Sequence, residues 1–578
     1  MMLLDVWPTR AQFHPQDTVG VWVSVSGVEP GTLPIVGRVF CGGEEVTRFD
    51  HQLEIGGDGV GGAEVSVTLP PVGLADGGTV GYAVEVTAAC TETQVRATTA
   101  FDVAGHWSAA PRYGFFADFA PDEPPVESER RADDLLKLHV NVVQFYDWMA
   151  SHHSFLPATE EFTDPLGRRL SHAVVRRKVD LVHRRGMSAL AYGALYGAEE
   201  DFSGEHPEWL LYDGAEQPLK LADVFYLQDF SEGSGWRAWI LDQYRQAVVE
   251  LDFDGIHIDQ YGFPKRALSR ASGSWREVDV ADEFPGFVEE AASMLLGIRP
   301  EGGSIFNCVN AWPVDEMVRA GADAATYVEV WEPNSTYRDL YEVVRQARRL
   351  RPEKQVILAA YLRPFHPVDG RTAGALRAFR LASAVINASG GFHLIAGEGD
   401  GLLTEAYYPN YGRLEPSEFA VLRSYSDFIV RNTAILHGAS GPDIAWTHVG
   451  PTNEVILLNH SELDSYGAGA RLDSLWVTGR DSNDVVSLQL VNLRGLESDE
   501  WNTGHPEPPR PLEDIEVRVR LTGDIDGVWW DTPDDDIGIA RPIPFEVVDE
   551  DAGRFLMFRI PRVVSWSAVW WRRSGWSR

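Results

Sequence analysis

The first hundred residues show short runs in which apolar and polar positions alternate. Residues 21–25 (VWVSV) and 80–86 (VGYAVEV) are two such runs, and turn-forming segments such as residues 54–59 separate them. A period of two is typical of strands with one buried face, and this part of the chain shows no helical period. The pattern predicts an N-terminal β-sandwich of immunoglobulin type over residues 1–108.

From about residue 112 the pattern changes to apolar strand candidates that alternate with amphipathic helices. Strands are predicted at residues 113–119, 140–146, 189–195, 255–260, 304–310, 325–330, 356–361 and 391–396. Helices are predicted at residues 130–139, 173–185, 236–251, 287–298, 337–350, 373–386 and 419–431. Such alternation is the signature of βα units around a parallel sheet. Because eight strands close a barrel, we expect a (β/α)8 TIM barrel over residues 109–435, with an elaborated loop that includes an extended segment at 225–230.

After about residue 436 the helical period disappears. Alternating runs at residues 485–491 and 515–521 indicate a second antiparallel β-sandwich over residues 436–578. The tryptophan-rich stretch at residues 566–576 is expected in the core of that sandwich. The chain is therefore predicted to be multidomain, with a central barrel between two β-sandwiches.

The chain is strongly acidic. It has 86 acidic and 50 basic residues, a net charge of −36 and an isoelectric point near 4.8. This charge argues against nucleic acid or an anionic membrane surface as a partner and favours a neutral substrate. The N-terminus lacks the basic segment of a secretory signal, which predicts a cytoplasmic protein if the sequence is complete and a secreted one if a signal was removed. An acidic surface with few lysines fits a high-salt environment, and a GC-rich genome would also favour arginine over lysine.

The stretch at residues 255–262 (GIHIDQYG) carries the first catalytic candidate. Ile256 and Ile258 alternate with His257 and Asp259, and a glycine ends the run, so Asp259 is expected where the fourth strand meets its loop. Barrel enzymes hold their chemistry at that end of the strands. A single aspartate at a strand end can equally cap a helix or hold a loop, so spacing alone leaves both roles open.

Polar and aromatic side chains follow the other predicted strands as well. Carboxylates together with tryptophan and tyrosine are typical of a sugar site, because apolar ring faces stack on aromatic rings while carboxylates bind hydroxyls. The adjacent His152 and His153 could suggest a metal, but neighbouring side chains diverge, which favours sugar contact or packing. No metal and no cofactor are predicted. The strand-end residues are Asp118, Gln144, Asp147, Trp148, Tyr192, Tyr196, Asp259, Asn310, Glu329, Trp331, Tyr361, Arg363, His393 and Glu398.

Hydrolysis of a glycosidic bond requires two carboxyl groups, and Glu329 at the end of the sixth strand is the second candidate. It lies beside Tyr327 and Trp331 by period two, and low-polarity surroundings favour the protonated form of a carboxyl group, as an acid catalyst needs. Glu332, just past the strand, is the competing candidate.

Five motifs in order resemble glycoside hydrolase family 66, whose members are endo-dextranases and cycloisomaltooligosaccharide glucanotransferases. They are residues 114–119 (GFFADF), 144–149 (QFYDWM) with His152-His153, 255–262, 327–331 and 393–398 followed by Tyr407-Tyr408-Pro409. The resemblance implies a retaining mechanism, with Asp259 as nucleophile, Glu329 as acid/base and about 5 to 5.5 Å between their carboxyls. It also implies sugar contacts from Asp118, Gln144, Asp147, Trp148, His152, His153, Tyr192, His257, Gln260, Tyr261, Asn310, Trp331, Tyr361, His393, Glu398 and Tyr408.

These inferences predict a glycoside hydrolase that cleaves α-1,6-glucosidic linkages of dextran or isomaltooligosaccharides by double displacement. The family's cyclising members typically carry an additional module in the barrel region, for which residues 112–435 leave no room, so hydrolysis is favoured over cyclisation. A cyclising transglycosylase remains the first alternative. A non-catalytic glycan-binding protein is the alternative from another class, and the presence of both carboxylates argues against it.

Overall fold

A curled sheet occupies the middle of the chain. The computed structural model describes residues 2–71, 74, 78–90, 93–438, 441–482 and 484–574. Within these residues the sheet has eleven strands, most of them parallel, and antiparallel sheets lie on both sides of it in sequence. None of the helices that the structure describes is long and apolar enough to cross a membrane.

The N-terminal part forms two antiparallel sheets that share one apolar core. One sheet pairs Leu3–Pro8, Val19–Ser26 and Val60–Val67, and the other pairs Glu44–Ile55, Gly31–Cys41, Thr79–Cys90 and Thr93–Ala104. Val21 and Val65 from the first sheet pack with Ile35 and Val84 from the second. The alternating pattern at residues 21–25 and 80–86 thus forms strands whose apolar positions face this core. The immunoglobulin class and the three domain limits stay predictions.

All eight strands predicted in the central part are present. They pair in parallel in chain order, so that their carboxyl ends lie at one edge. Just after the eighth, the short strand Ala396–Gly397 pairs in parallel with the first through Gly397 and Phe115. The sheet therefore curls until its last parallel strand returns to its first. The eight strands are Tyr113–Phe116, Val142–Phe145, Ser188–Ala194, Gly255–Asp259, Ile305–Val309, Thr326–Glu329, Val356–Ala359 and Gly391–Leu394.

The seven predicted helices are also present, and their apolar stripes cover the outside of the curled sheet. Tyr337–Leu350 shows the reason: Thr336 and Asp339 form a capping box, and Leu340 and Val344 lie on the buried side. The other predicted helices are Pro125–Lys137, His172–Arg184, Gly235–Leu251, Val280–Ile298, Ala375–Ala388 and Pro416–Arg431. Helices that the sequence did not predict are Val314–Ala320, Glu200–Glu205, Thr433–Leu436 and Ala445–His448.

Short antiparallel strands elaborate the loops above the carboxyl edge. Gly197–Ala198 pairs with Phe225–Leu227, which also pairs with Lys220–Leu221. The predicted extended segment at 225–230 is thus a strand for its first three residues. Other short strands in these loops are Glu161–Thr163, Arg169–Ser171, Leu211–Tyr212, Arg266–Ser269, Arg276–Asp279, Gly401–Leu402 and Gly412–Arg413.

The C-terminal part has two further sheets, as the alternating runs predicted. One consists of Ile456–Asn459, Leu512–Arg520, Gly553–Val563 and Phe545–Glu550. The other consists of Tyr466–Gly467, Leu475–Asp481, Val485–Asn492, Trp566–Arg573, Ile525–Asp531 and Arg541–Pro542. Trp566 and Trp571 are buried, which agrees with a core role for the tryptophan-rich stretch, whereas Trp576 lies outside the described residues.

Candidate active site

A cavity of about 500 Å³ opens at the carboxyl edge of the parallel strands. Its size is in the range of small-molecule binding sites. Twelve of the residues that the sequence predicted as site residues line it: Gln144, Asp147, His152, Tyr192, His257, Asp259, Gln260, Tyr261, Glu329, Trp331, Tyr361 and Tyr408. The strand ends thus converge on one cavity, because parallel strands place their carboxyl ends on the same side.

Asp259 and Glu329 both accept a hydrogen bond from the same amide nitrogen. Asn307 Nδ2 donates to Asp259 Oδ1 at 2.7 Å and to Glu329 Oε2 at 3.0 Å. These two carboxylate oxygens are therefore at most about 5.7 Å apart, since both are hydrogen-bonded to the same atom. A retaining glycosidase requires about 5 to 5.5 Å between its carboxyls, whereas an inverting one requires about 6.5 to 9.5 Å.

The second oxygen of each carboxyl group accepts a hydrogen bond from a tyrosine. Tyr192 OH donates to Asp259 Oδ2 at 2.8 Å, and Tyr361 OH donates to Glu329 Oε1 at 2.7 Å. Both tyrosines are buried, so their hydroxyls are held in place by packing. Each carboxyl group is thus oriented by two donors, which leaves little freedom to rotate.

The surroundings of Asp259 favour its protonated form. Burial, and then the negative charge of Glu329, raise the pKa of Asp259 to about 7. Asn307 and Tyr192 act in the opposite direction by donating to the carboxylate. Asp259 therefore keeps its proton closer to neutral pH than an exposed aspartate does.

His257 supports the cavity floor as a neutral side chain. Burial lowers its pKa to about 3, and its Nδ1 is 2.8 Å from Tyr113 OH. Its ring stacks against Tyr113 and meets Tyr327 edge to face. An uncharged imidazole with this low basicity fits packing and hydrogen bonding better than proton transfer at neutral pH.

Aromatic rings form one wall of the cavity. Tyr146 stacks on Tyr408 with 4.3 Å between ring centroids, and the Tyr408 hydroxyl is 3.2 Å from that of Tyr327. Trp331 lies at the rim with 40% of its surface exposed and meets Tyr361 edge to face. Rings arranged in this way offer flat apolar surfaces to the faces of sugar rings.

A second polar group lies on the side of the cavity formed by the second strand's loop. Asp147 Oδ1 is 3.9 Å from His152 Nε2, and the His152 ring stacks on Phe225 at 4.1 Å. Although burial disfavours the charged imidazole, Asp147 and Glu199 raise the pKa of His152. Asp147 has a φ of +45°, a strained backbone conformation that is common at functional sites.

Two predicted sugar contacts, Trp148 and Glu398, are fully buried and lie outside the cavity lining. Trp148 packs against Phe253, and its Nε1 donates to the Tyr192 carbonyl at 3.1 Å. Glu398 accepts from Lys178 Nζ at 2.7 Å and from Arg131 at 2.5 Å, and these cations lower its pKa against the effect of burial. Neither side chain reaches the cavity, because each is occupied in holding the strands and helices together.

Four other predicted contacts also lie outside the cavity lining. Asp118 Oδ2 accepts from Arg131 and from Tyr411 OH, and His153 Nδ1 is 2.5 Å from Glu199 Oε2. Asn310 donates to the Glu332 carbonyl at 2.8 Å, and His393 Nε2 is 2.9 Å from the Ala360 carbonyl. The predicted strand-end residues Tyr196 and Arg363 do not line the cavity either.

Glu332, the competing acid, is exposed and is not part of the cavity lining. The geometry therefore favours Glu329. Within the described residues, no group of three or more histidine, cysteine, aspartate or glutamate side chains is arranged to hold a metal ion.

The sequence did not identify Asn307, which contacts both carboxyl groups. Asn307 lies inside the strand Ile305–Val309, between apolar neighbours. Its position could have been recognised from the sequence as a polar residue within an otherwise apolar strand, because a buried amide needs hydrogen-bond partners. Tyr146 and Tyr327 also line the cavity; they lay within quoted motifs but were not assigned as contacts.

Several known proteins are similar to this chain in sequence. A family profile described as "Glycosyl hydrolase family 66" matches residues 39–570. A cycloisomaltooligosaccharide glucanotransferase from Niallia circulans is 22% identical over 620 residues, which cover 82% of this chain and 63% of the relative. Another from the same organism is 29% identical over 306 residues, or 49% of this chain and 30% of the relative. The chain thus matches less than two thirds of the length of either relative.

Solved structures show the same fold. A cycloisomaltooligosaccharide glucanotransferase from Paenibacillus sp., solved in complex with cycloisomaltoheptaose, has a TM-score of 0.84 at 20% identity and covers 98% of this chain and 99% of its own. Alpha-L-fucosidase isoenzyme 2 from Paenibacillus thiaminolyticus has a TM-score of 0.51 at 11% identity, with 80% of this chain and 99% of its own covered.

Proposed function

The chain belongs to glycosyl hydrolase family 66, and we propose that it cleaves α-1,6-glucosidic linkages of glucans with Asp259 and Glu329 as its catalytic carboxyl groups. The observation that supports this best is the shared hydrogen-bond donor Asn307, which holds the two carboxylates within the separation of a retaining enzyme. The aromatic wall and the neutral, polar floor of the cavity fit an uncharged sugar chain.

In the proposed mechanism, a carboxylate oxygen of Asp259 attacks the anomeric carbon while Glu329 gives its proton to the leaving glycosidic oxygen. The carbon–oxygen bond to the leaving sugar breaks, and a glycosyl ester of Asp259 forms. In the second step Glu329, now a carboxylate, takes a proton from an incoming hydroxyl group, whose oxygen displaces Asp259. Two inversions at the same carbon retain its configuration.

The hydrogen bonds around the pair support this exchange of charge. Before the first step the negative charge is needed on Asp259, and after it the charge resides on Glu329. Asn307 donates to both carboxyl groups, so it can stabilise the charge at either position. Tyr192 and Tyr361 each serve one carboxyl group and keep it directed into the cavity.

The incoming hydroxyl can come from water or from a sugar, and these alternatives define hydrolysis and transglycosylation. Both curated relatives are named as cycloisomaltooligosaccharide glucanotransferases. That similarity favours transfer to a sugar hydroxyl, including a hydroxyl of the same chain, over the hydrolysis that the size of the central region suggested. Hydrolysis of dextran or isomaltooligosaccharides is the second candidate, since the sequence family includes dextranases.

We further propose that the curled sheet closes as the (β/α)8 barrel predicted from the sequence. The supporting observation is that Gly391–Leu394 pairs with the seventh strand while its continuation, Ala396–Gly397, pairs with the first. A closed barrel explains why the fourth and sixth strands place Asp259 and Glu329 across one cavity.

Product analysis tests the proposed function. The protein is incubated with dextran and, separately, with isomaltooligosaccharides, and the products are followed by chromatography and mass. Cyclic or lengthened products are expected for transfer, and linear shorter products alone would identify a hydrolase. The Asp259→Ala variant should yield neither. Failure of the wild-type protein to alter either substrate would refute the α-1,6-glucan assignment, and binding without turnover would support a glycan-binding protein.

A further inference from the structure

A cluster of aromatic rings lies outside the cavity, on the rim of the same edge of the sheet. We call it the aromatic shelf; it consists of Phe202, His206, Trp209 and Trp239. His206 and Trp209 stack at 4.0 Å with 5° between their planes, and the Trp239 ring is 6.3 Å from that of Trp209. Trp239 belongs to the second turn of Gly235–Leu251. It therefore lies near the N-terminal end of this helix, which follows the loops above the strands.

The rings of the shelf are fixed by specific contacts. Trp239 Nε1 donates to the His153 carbonyl at 2.7 Å. The Trp209 indole covers the start of the helix so closely that a Cβ on Gly235 would approach it to 2.4 Å, so any larger residue there would displace the ring. A surface held rigid before binding loses little conformational entropy when a ligand arrives.

Packing in the protein core does not explain the presence of tryptophan at position 239. The buried face of this helix is formed by other residues, among them Trp236, Ile240 and Tyr244, whereas 38% of Trp239 is exposed. Glu205 and Glu208 are exposed beside the shelf. Within the shelf, Trp239 is exposed, His206 and Trp209 are partly exposed and Phe202 is buried. The exposed ring surface and the neighbouring carboxylates resemble the composition of the cavity, where the same residue types would contact sugar rings and hydroxyl groups.

The shelf is continuous with the cavity wall. The His153 ring stacks on Phe202 at 4.6 Å, and the neighbouring residue, His152, lines the cavity. Glu199 holds both histidines: its Oε1 accepts from the His152 backbone N–H at 2.8 Å, and its Oε2 is 2.5 Å from His153 Nδ1. One carboxylate thus fixes the position of the shelf relative to the cavity.

We propose that the aromatic shelf is an outer binding site for a neutral glucan chain that extends from the cavity. Its flat rings suit the apolar faces of pyranose rings, and the adjacent carboxylates suit hydroxyl groups. The same carboxylates, on a chain with a net charge of −36, disfavour an anionic partner. This inference rests on the proposed function, because it takes the ligand of the cavity to be a glucan.

The test compares binding of a long and a short glucan in the Asp259→Asn background, which prevents consumption of the ligand. Dissociation constants for dextran and for isomaltotriose are measured with and without Trp239→Ala. Dextran binding should weaken by about 3- to 10-fold, the contribution expected for an aromatic stacking contact, while isomaltotriose binding stays the same. Trp239→Phe should retain most of the dextran affinity.

The matched control is Trp22→Ala, because Trp22 is 37% exposed and lies in the N-terminal sheet. It should change neither dissociation constant. An unchanged dextran affinity in Trp239→Ala would contradict the proposed binding role of the aromatic shelf. An equal loss of affinity for dextran and for isomaltotriose would also contradict it. Trp239-dependent binding of dextran by a protein that does not cleave dextran would overturn the proposed function alone. Absence of dextran binding in the parent would overturn both.

Discussion

Two carboxyl groups in the cavity, Asp259 and Glu329, share the hydrogen-bond donor Asn307 Nδ2. The carboxyl groups themselves could be predicted, because each ends an apolar strand and belongs to a motif. Asn307 could not, because its role depends on the distance between two side chains that are 70 positions apart in sequence. The buried positions of Trp148 and Glu398 were missed for the same reason, since strand-end spacing does not show which side of the loop faces the cavity.

Asn307→Ala tests the role of the shared donor. The substitution removes a hydrogen bond to each carboxylate, so kcat/KM should fall by about 10- to 100-fold, the range for one bond to a charged group. Loss of the donor also disfavours the ionised form of Asp259, whose pKa should rise further. The acidic limb of the profile of kcat/KM against pH should therefore move to higher pH. If the acidic limb stays at the same pH and kcat/KM is near normal in Asn307→Ala, Asn307 does not stabilise the two carboxylates.

Asp259→Asn tests the cost of keeping a carboxyl group buried. The pKa of Asp259 is about 7 in the folded protein against an ordinary 3.8, so the folded state binds this proton more tightly. The resulting stability is complete below pH 3.8 and is lost as the pH rises through 7. Asparagine cannot ionise, so the variant should melt a few degrees above the wild type at pH 8 and close to it at pH 4. Equal melting temperatures at pH 8 would contradict the raised pKa.

Among the elements, hydrophobic periodicity predicted eight of the eleven strands in the central sheet and most of the helices around it. It failed where an element is too short to show a period: Val314–Ala320 has seven residues, and the strands of the loop sheets have two to four. The predicted strands were also too long, as in 113–119 against Tyr113–Phe116, because the residues that enter the loop remain buried and apolar. Burial alone therefore does not mark the end of a strand.

The contacts between elements depend on a buried ionic cluster around Glu398. Glu398 joins Lys178 of His172–Arg184 to Arg131 of Pro125–Lys137, and it also accepts from the backbone N–H of Ala117 at 2.7 Å. It thus fixes the end of the first strand to the loop that follows the eighth and to two helices.

Glu398→Gln should destabilise the folded protein, although Glu398 does not line the cavity. It removes the fully buried carboxylate that Lys178 and Arg131 share and leaves them Glu123 as a second partner. Breaking a buried ion pair costs about 3–5 kcal/mol, which sets the upper range expected here. The free energy of unfolding, measured with denaturant, should fall by this order. The control Glu342→Gln removes an exposed partner of Arg345 and should change stability by less than about 1 kcal/mol. Equal stability of the two variants would show that the cluster does not hold the elements together.

For the whole molecule, the sequence predicted a parallel αβ region between two β regions, but not how the three regions join. Arg112, just before the first parallel strand, pairs with Asp102 of the last N-terminal strand at 2.8 Å. Arg431, at the end of Pro416–Arg431, pairs with Asp531 of the C-terminal sheet at 2.8 Å. Both pairs are buried. Such partners could not be chosen from the sequence, because the chain offers many arginines and still more carboxylates.

The net charge of −36 predicts a dependence of stability on salt. Repulsion among surface carboxylates opposes folding, and salt screens it over roughly 10 Å at 0.1 M. The melting temperature should therefore rise between low salt and 1 M sodium chloride. Equal melting temperatures across this range would show that ion pairs already balance the acidic surface, and they would also remove the argument for a high-salt environment.

In the proposed mechanism, this molecule breaks a glucosidic bond through a covalent intermediate on Asp259. The most direct test is to incubate the protein with a fluorinated α-glucosyl fluoride that slows the second step, and to locate any adduct by peptide mass spectrometry. We expect one glycosyl group on the peptide that contains Asp259, and none in Asp259→Asn. An adduct on another residue, or turnover of α-1,6-glucan with inverted configuration and no adduct, would contradict it.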